Sequence, residues 1–137
     1  MEGVVQVETK KISEILRKDH LEEDELIAEL LSSWDEEKFS RFFDNLKKHI
    51  YLEEEFLFPL IHGNELIIAD LMRQHAIMWR LLEMIEKDRE QKLHQVYSTL
   101  LVHNAIEESD IYPQLEELDL VIKVKEMPSD WKPLFYS

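Results

Sequence analysis

The sequence predicts an all-α protein, an antiparallel up-down-up-down four-helix bundle, on three observations. Four long segments carry apolar residues at three- and four-residue intervals, the period of a helix with one buried face. Only two glycines and four prolines occur in 137 residues rich in Leu, Glu, Ile and Lys, which suits helices better than short strands and tight turns. The breaks between the periodic segments are short, and short connections make consecutive helices antiparallel neighbours.

The first segment follows Thr9, an N-cap residue type, and runs through Ile12, Leu16, Ile27 and Leu31. The second carries Phe39, Phe42, Leu46, Ile50, Leu57 and Leu60. The third carries Ile68, Leu71, Met78, Leu82 and Ile85, and the fourth Leu93, Val96, Leu100, Ile111 and Leu118. Between the first two, Ser33-Trp34-Asp35-Glu36 has the S-x-x-E spacing of a capping box; Asp88-Arg89-Glu90-Gln91 is a looser version before the fourth. His62-Gly63-Asn64 supplies residues that tolerate a left-handed helix stop. Pro59 and Pro113 each remove a backbone donor and are expected to kink or shorten their helices. One domain is expected over 1–137, with a bundle core at about 10–118 and a tail, 119–137, without helical period. The tail holds Trp131, Phe135 and Tyr136 and is expected to fold back over the bundle, with a partner-binding or dimer-forming role as the alternative.

The absence of cysteine excludes a disulfide framework, a thiolate zinc site, an iron–sulfur cluster and a cysteine nucleophile. A formal net charge of −14 argues against a nucleic-acid partner and against anionic membrane surfaces. With no apolar run of about 18 residues and no leader pattern, a soluble cytoplasmic protein, monomer or homodimer, is expected.

Against this background six polar residues stand on the apolar stripes. His49 and Glu53 lie one turn apart between Leu46 and Leu57, and His103 and Glu107 repeat the pattern between Leu100 and Ile111. His20 falls on the first stripe and His75 on the third. In antiparallel helices joined by short turns, residues equidistant from the turn share a level. The midpoints of 20 and 49, of 49 and 75, and of 75 and 103 all fall inside the turns. The polar residues therefore meet in one layer, about 13 residues or about 20 Å from each turn. Left unpaired, such groups would cost several kcal/mol each. A metal resolves this better than a network of four histidines and two glutamates, which would keep partly unpaired charge. Imidazole and carboxylate without thiolate suit iron, manganese, zinc or copper. Six ligands exceed a tetrahedral zinc site and divide naturally between two ions with bridging carboxylates.

The series Asp19-His20, His49-x-x-x-Glu53-Glu54 closing at Phe58-Pro59, His75, and His103-x-x-x-Glu107-Glu108 closing at Tyr112-Pro113 resembles the hemerythrin-like, or HHE cation-binding, family over about residues 12–118. The resemblance implies a four-helix bundle enclosing a non-haem di-iron centre. It makes His20, His49, His75 and His103 terminal ligands, and Glu53 and Glu107 the bridges between two iron ions that also share an oxo or hydroxo group; zinc or manganese are substitutes. Oxygen-carrying members have a further histidine one turn after the third-helix one, where this sequence has Trp79, and usually Asp at the last carboxylate, where it has Glu107. The chain thus resembles the four-His, two-Glu branch, with a more open site. Relatives in that branch are linked to oxygen or nitric oxide responses and to repair of iron centres.

The resulting expectation is a di-iron protein that binds or reacts with oxygen or nitric oxide. An iron store or donor, an oxidase, peroxidase or nitric-oxide-reducing enzyme, and a purely structural polar layer are its rivals. Asp24 is a candidate acceptor for an imidazole N–H of His20, or a plain solvated acid. Glu54 and Glu108 are expected to face outward or to bond to the ligands. His62 and His94 read as surface residues, and Trp79 as core packing.

Overall fold

A computed structural model describes residues 3–137. Strand β1 (Val4–Glu8) leads into helix α1 (Thr9–Ser32), followed by α2 (Glu36–Leu52), α3 (Glu65–Glu83) and α4 (Arg89–Ile106). A short α5 (Tyr112–Leu118) and strand β2 (Val121–Lys125) complete the elements. The four long helices pack as a bundle, α1 on α2 and α4, and α3 on α4. No helix among the described residues is long and apolar enough to cross a membrane.

The helix ends differ in detail from the sequence reading. Ser33 closes α1 in an extended conformation, and Asp35 is the residue that caps α2, accepting the Lys38 N–H at 2.9 Å. Asp35 wins because its carboxylate is a strong acceptor three residues before the free amide, where Ser33 is still occupied in ending α1. Gly63 takes a left-handed φ of +91° in the turn before α3. Asp88, at φ 62°, does the same before α4, with no side-chain cap bond. Thr9 is the first helical residue rather than a cap. Its N–H donates to the Leu120 carbonyl (2.7 Å) and its Oγ1 accepts the Leu120 N–H (3.1 Å).

That pair of bonds opens a two-stranded antiparallel ribbon that the helical periodicity did not show. Val5 pairs with Val124 and Val7 with Ile122, so β1 and β2 join the two ends of the chain. Beyond it the tail folds back on the bundle. Trp131 packs edge-on against Tyr51 (5.2 Å between ring centres) and Trp79 (5.6 Å). Tyr136 donates to Glu83 at 2.6 Å and accepts from Arg80 at 2.9 Å.

The apolar core divides into two clusters. One holds Leu26, Ile27 and Leu30 of α1, Phe42 and Leu46 of α2, Met78, Trp79 and Leu82 of α3, and Leu93, Val96 and Leu100 of α4. The other holds Ile12 and Leu16 of α1, Leu57 and Phe58, Leu71 of α3, and Ile111, Tyr112 and Leu115. Between the two clusters the four helices and the residues directly after α2 and α4 bring in buried polar side chains: His20 and Glu23, His49 and Glu53, His75, and His103 and Glu107.

Candidate metal centre

All six polar stripe residues are buried, with Glu53, His75 and Glu107 wholly inaccessible to solvent. Their side chains converge into two groups, His20, His49, Glu53 and Glu107 on one side, and Glu53, His75, His103 and Glu107 on the other. In each group the potential ligand atoms lie within 4.8 Å of one another, and both carboxylates belong to both groups. Nε2 is the nitrogen that faces inward on every imidazole. His75 Nε2 stands 2.9 Å from Glu53 Oε1, His49 Nε2 3.1 Å from Glu53 Oε2, and His20 and His103 Nε2 3.2 and 3.3 Å from Glu107 Oε1. Glu53 thus spans the two groups with its two oxygens. His62 and His94 are exposed and lie outside both groups.

A second ring of acceptors fixes the outward nitrogens. Nδ1 of His20 donates to Glu108 (3.0 Å), that of His49 to Glu23 (3.2 Å), that of His75 to Glu54 (2.8 Å) and that of His103 to Gln74 (2.7 Å). An acceptor at Nδ1 places the proton there and leaves the Nε2 lone pair free for a metal. Asp24 makes no bond to His20; Glu108 takes that role, reaching across from the fourth helical segment. Glu23 and Gln74 were not anticipated. Glu23 continues the stripe Leu16, His20, Ile27 and carried that signal, whereas Gln74 has only its place beside His75.

Two local irregularities in the backbone shape the layer. Directly after α2 and after α4 the chain widens into a π turn, Glu53–Leu57 and Glu107–Ile111, each beginning at a shared carboxylate. Single π turns of this kind are typical of functional sites. Their signature bonds run from the Phe58 N–H to the Glu53 carbonyl and from the Tyr112 N–H to the Glu107 carbonyl. In a regular helix residue i+5 would lie about 140° around the axis from residue i; the wider turn brings it back toward the same face. Phe58 and Tyr112 therefore both reach the layer. Phe58 stacks on the His75 ring (5.8 Å, 5° between planes). Tyr112, wholly buried, places its hydroxyl 2.9 Å from His20 Nε2, 3.3 Å from His49 Nε2, 3.0 Å from Glu53 Oε2 and 3.2 Å from Glu107 Oε1. Pro59 and Pro113 follow directly, at positions in a short 3₁₀ turn and in the first turn of α5 where no backbone donor is needed.

The electrostatics of the layer call for added positive charge. Glu23, Glu53, Glu54 and Glu107 are buried, and their ion-pair partners are histidines alone among the described residues. Without metal, protons fill that need. Burial disfavours a charged His103, yet Glu107 and Glu53 carry its imidazole up to about 9. Burial likewise opposes charge on His49, which Glu53 and Glu23 nevertheless hold well above its ordinary range. Burial also works against an ionised Glu53, but His49 beside it keeps the carboxyl well below its usual value. The Tyr112 phenol is pushed far up by burial and by Glu107 and Glu53, so in the metal-free chain it is a neutral donor. Two carboxylate oxygens of the layer are buried without a hydrogen-bond partner, Glu23 Oε1 at its edge and Glu107 Oε2 on a carboxylate that the two groups share. Such an orphan costs about 1–3 kcal/mol, and a cation between the groups removes that cost for Glu107. The donor set, the shared carboxylates and the orphaned Glu107 oxygen all fit bound metal.

A family model described as the hemerythrin HHE cation-binding domain matches residues 11–115, which contain every residue of both groups. No curated protein and no solved structure matches the chain significantly. Since the match spans most of its length, the chain belongs to the hemerythrin HHE cation-binding family.

Proposed function

We propose that the protein is a non-haem di-iron protein that binds or reacts with oxygen or nitric oxide. The observation that carries this reading is the sharing of Glu53 and Glu107 by two buried groups of two histidines each. In it His20 and His49 hold one ion, His75 and His103 the other, and the two glutamates bridge them. Two histidines with carboxylate, short of a full coordination shell, is the donor pattern of non-haem iron that handles oxygen. When bound, the iron ions supply redox change and open coordination positions. The chain's own contribution is to fix the imidazoles through Glu23, Glu54, Gln74 and Glu108, and to exclude water with apolar clusters on either side. Zinc or manganese would suit the same donors without the same redox chemistry.

We further infer that residues 1–137 form one domain and that the four helices run up-down-up-down. The division of the core supports this course. One cluster draws on the later residues of α1 and α3 together with α2 and α4, while the other draws on the earlier residues of α1 and α3 and on the segments that follow α2 and α4.

The test is elemental analysis of protein purified without chelators, with visible spectra before and after anaerobic reduction and on readmission of oxygen or nitric oxide. Two irons per chain and a reversible spectral change are the expected results. Steady turnover of the reductant would move the reading to catalysis, and absence of stoichiometric metal would overturn it.

A further inference from the structure

The two metal positions are not equivalent, because the two π turns deliver different side chains. The turn after α2 presents Phe58, which has no donor atom and lies flat on His75. The turn after α4 presents Tyr112. A phenol has one proton to give and lone pairs that accept at most two hydrogen bonds, three partners in all. Its oxygen instead stands within 3.3 Å of four atoms: the inward nitrogens of His20 and His49 and one oxygen each of Glu53 and Glu107. Those four atoms come from the four residues of the first group; the two histidines belong to that group alone, and neither histidine of the second group is among the four. A hydroxyl placed only for hydrogen bonding does not need four partners, two of them the inward imidazole nitrogens of His20 and His49. An oxygen packed among four donor atoms has the surroundings of one more ligand around a shared centre.

We propose that Tyr112 Oη is a seventh protein ligand, coordinating as phenolate the ferric ion held by His20 and His49. As the iron–oxygen bond forms, the phenol O–H bond breaks and its proton leaves to solvent; no electron is transferred. A bound cation reverses the preference for a neutral phenol that burial imposes, as it does for other acidic ligands. The first position then has five protein residues around it and the second four, so the second, facing Phe58, keeps the greater share of open coordination. This proposal rests on the di-iron reading above.

The test loads the full chain with ferrous ammonium sulfate under anaerobic conditions, oxidises it in air, and records visible absorption and resonance Raman spectra. A tyrosinate-to-iron charge-transfer band with enhanced tyrosine ring modes is expected in the wild type. Both should vanish in Tyr112→Phe while iron stays near two per chain. Wild-type protein grown with ring-deuterated tyrosine provides a check independent of that variant's folding, since the enhanced modes must shift. Two irons per chain with no tyrosinate modes in the wild type would overturn this assignment alone, leaving Tyr112 a hydrogen-bond donor, and so would modes that persist in Tyr112→Phe. Failure to bind iron at all would overturn the di-iron reading along with it.

Discussion

Glu54 ties His75 to the C-terminal tail. One carboxylate oxygen accepts the Nδ1–H of His75 at 2.8 Å, and the other accepts the backbone N–H of Leu134 at 2.9 Å. The orientation of an imidazole at the centre of the layer is thereby linked to a segment that packs on the outside of the bundle.

Replacing Glu54 with Ala removes that orientation while leaving Nε2 of His75 in place. Losses of this kind typically weaken metal binding about 10–100-fold. Competition against a chelator of known affinity should show that drop, with helical content unchanged.

The tail itself contributes stability through Trp131, which covers Tyr51 and Trp79. Trp131→Ala exposes those rings and should cost about 1–3 kcal/mol, read from the urea midpoint of the metal-free chain.

Loss of a residue from the layer acts on both metal and fold. His103→Ala or Glu53→Ala should lower bound iron well below two per chain and reduce the thermal stability of protein purified with metal, because binding is coupled to folding. Full occupancy in either variant would refute the assignment of that residue. Asp35→Ala, which removes only the α2 cap bond to Lys38, serves as contrast. It should cost about 1 kcal/mol and leave metal content unchanged.

The metal-free and loaded forms should respond to pH in opposite ways. His103 rises from 6.5 to about 9 on folding, so its contribution is complete below 6.5 and is lost as pH climbs through about 9. His20 and His49 shift in the same direction. Glu53 and Glu107 are held below 4.5, so their contribution is present above 4.5 and is lost as pH falls further. Thermal melts of metal-free protein should therefore peak between pH 4.5 and 6.5 and decline toward pH 9. The loaded form should instead lose metal on acidification, since protons compete for the same imidazole nitrogens.

Much of this molecule was determined by sequence alone. The helical period exposed His20, His49, Glu53, His75, His103 and Glu107 as polar residues on apolar stripes, and counting from the turns put them at one level, as the two buried groups show. That inference works because the α-helical period is a local property and short turns transmit it from helix to helix. Tertiary structure decided what locality cannot carry. The ribbon between β1 and β2 pairs residues more than a hundred positions apart, through backbone bonds that leave only a weak pattern in side chains. Glu108 and Gln74 reach histidines on other helices. Tyr112 enters the layer only because the helix widens at Glu107, where a strict 3.6-residue period would have turned it away.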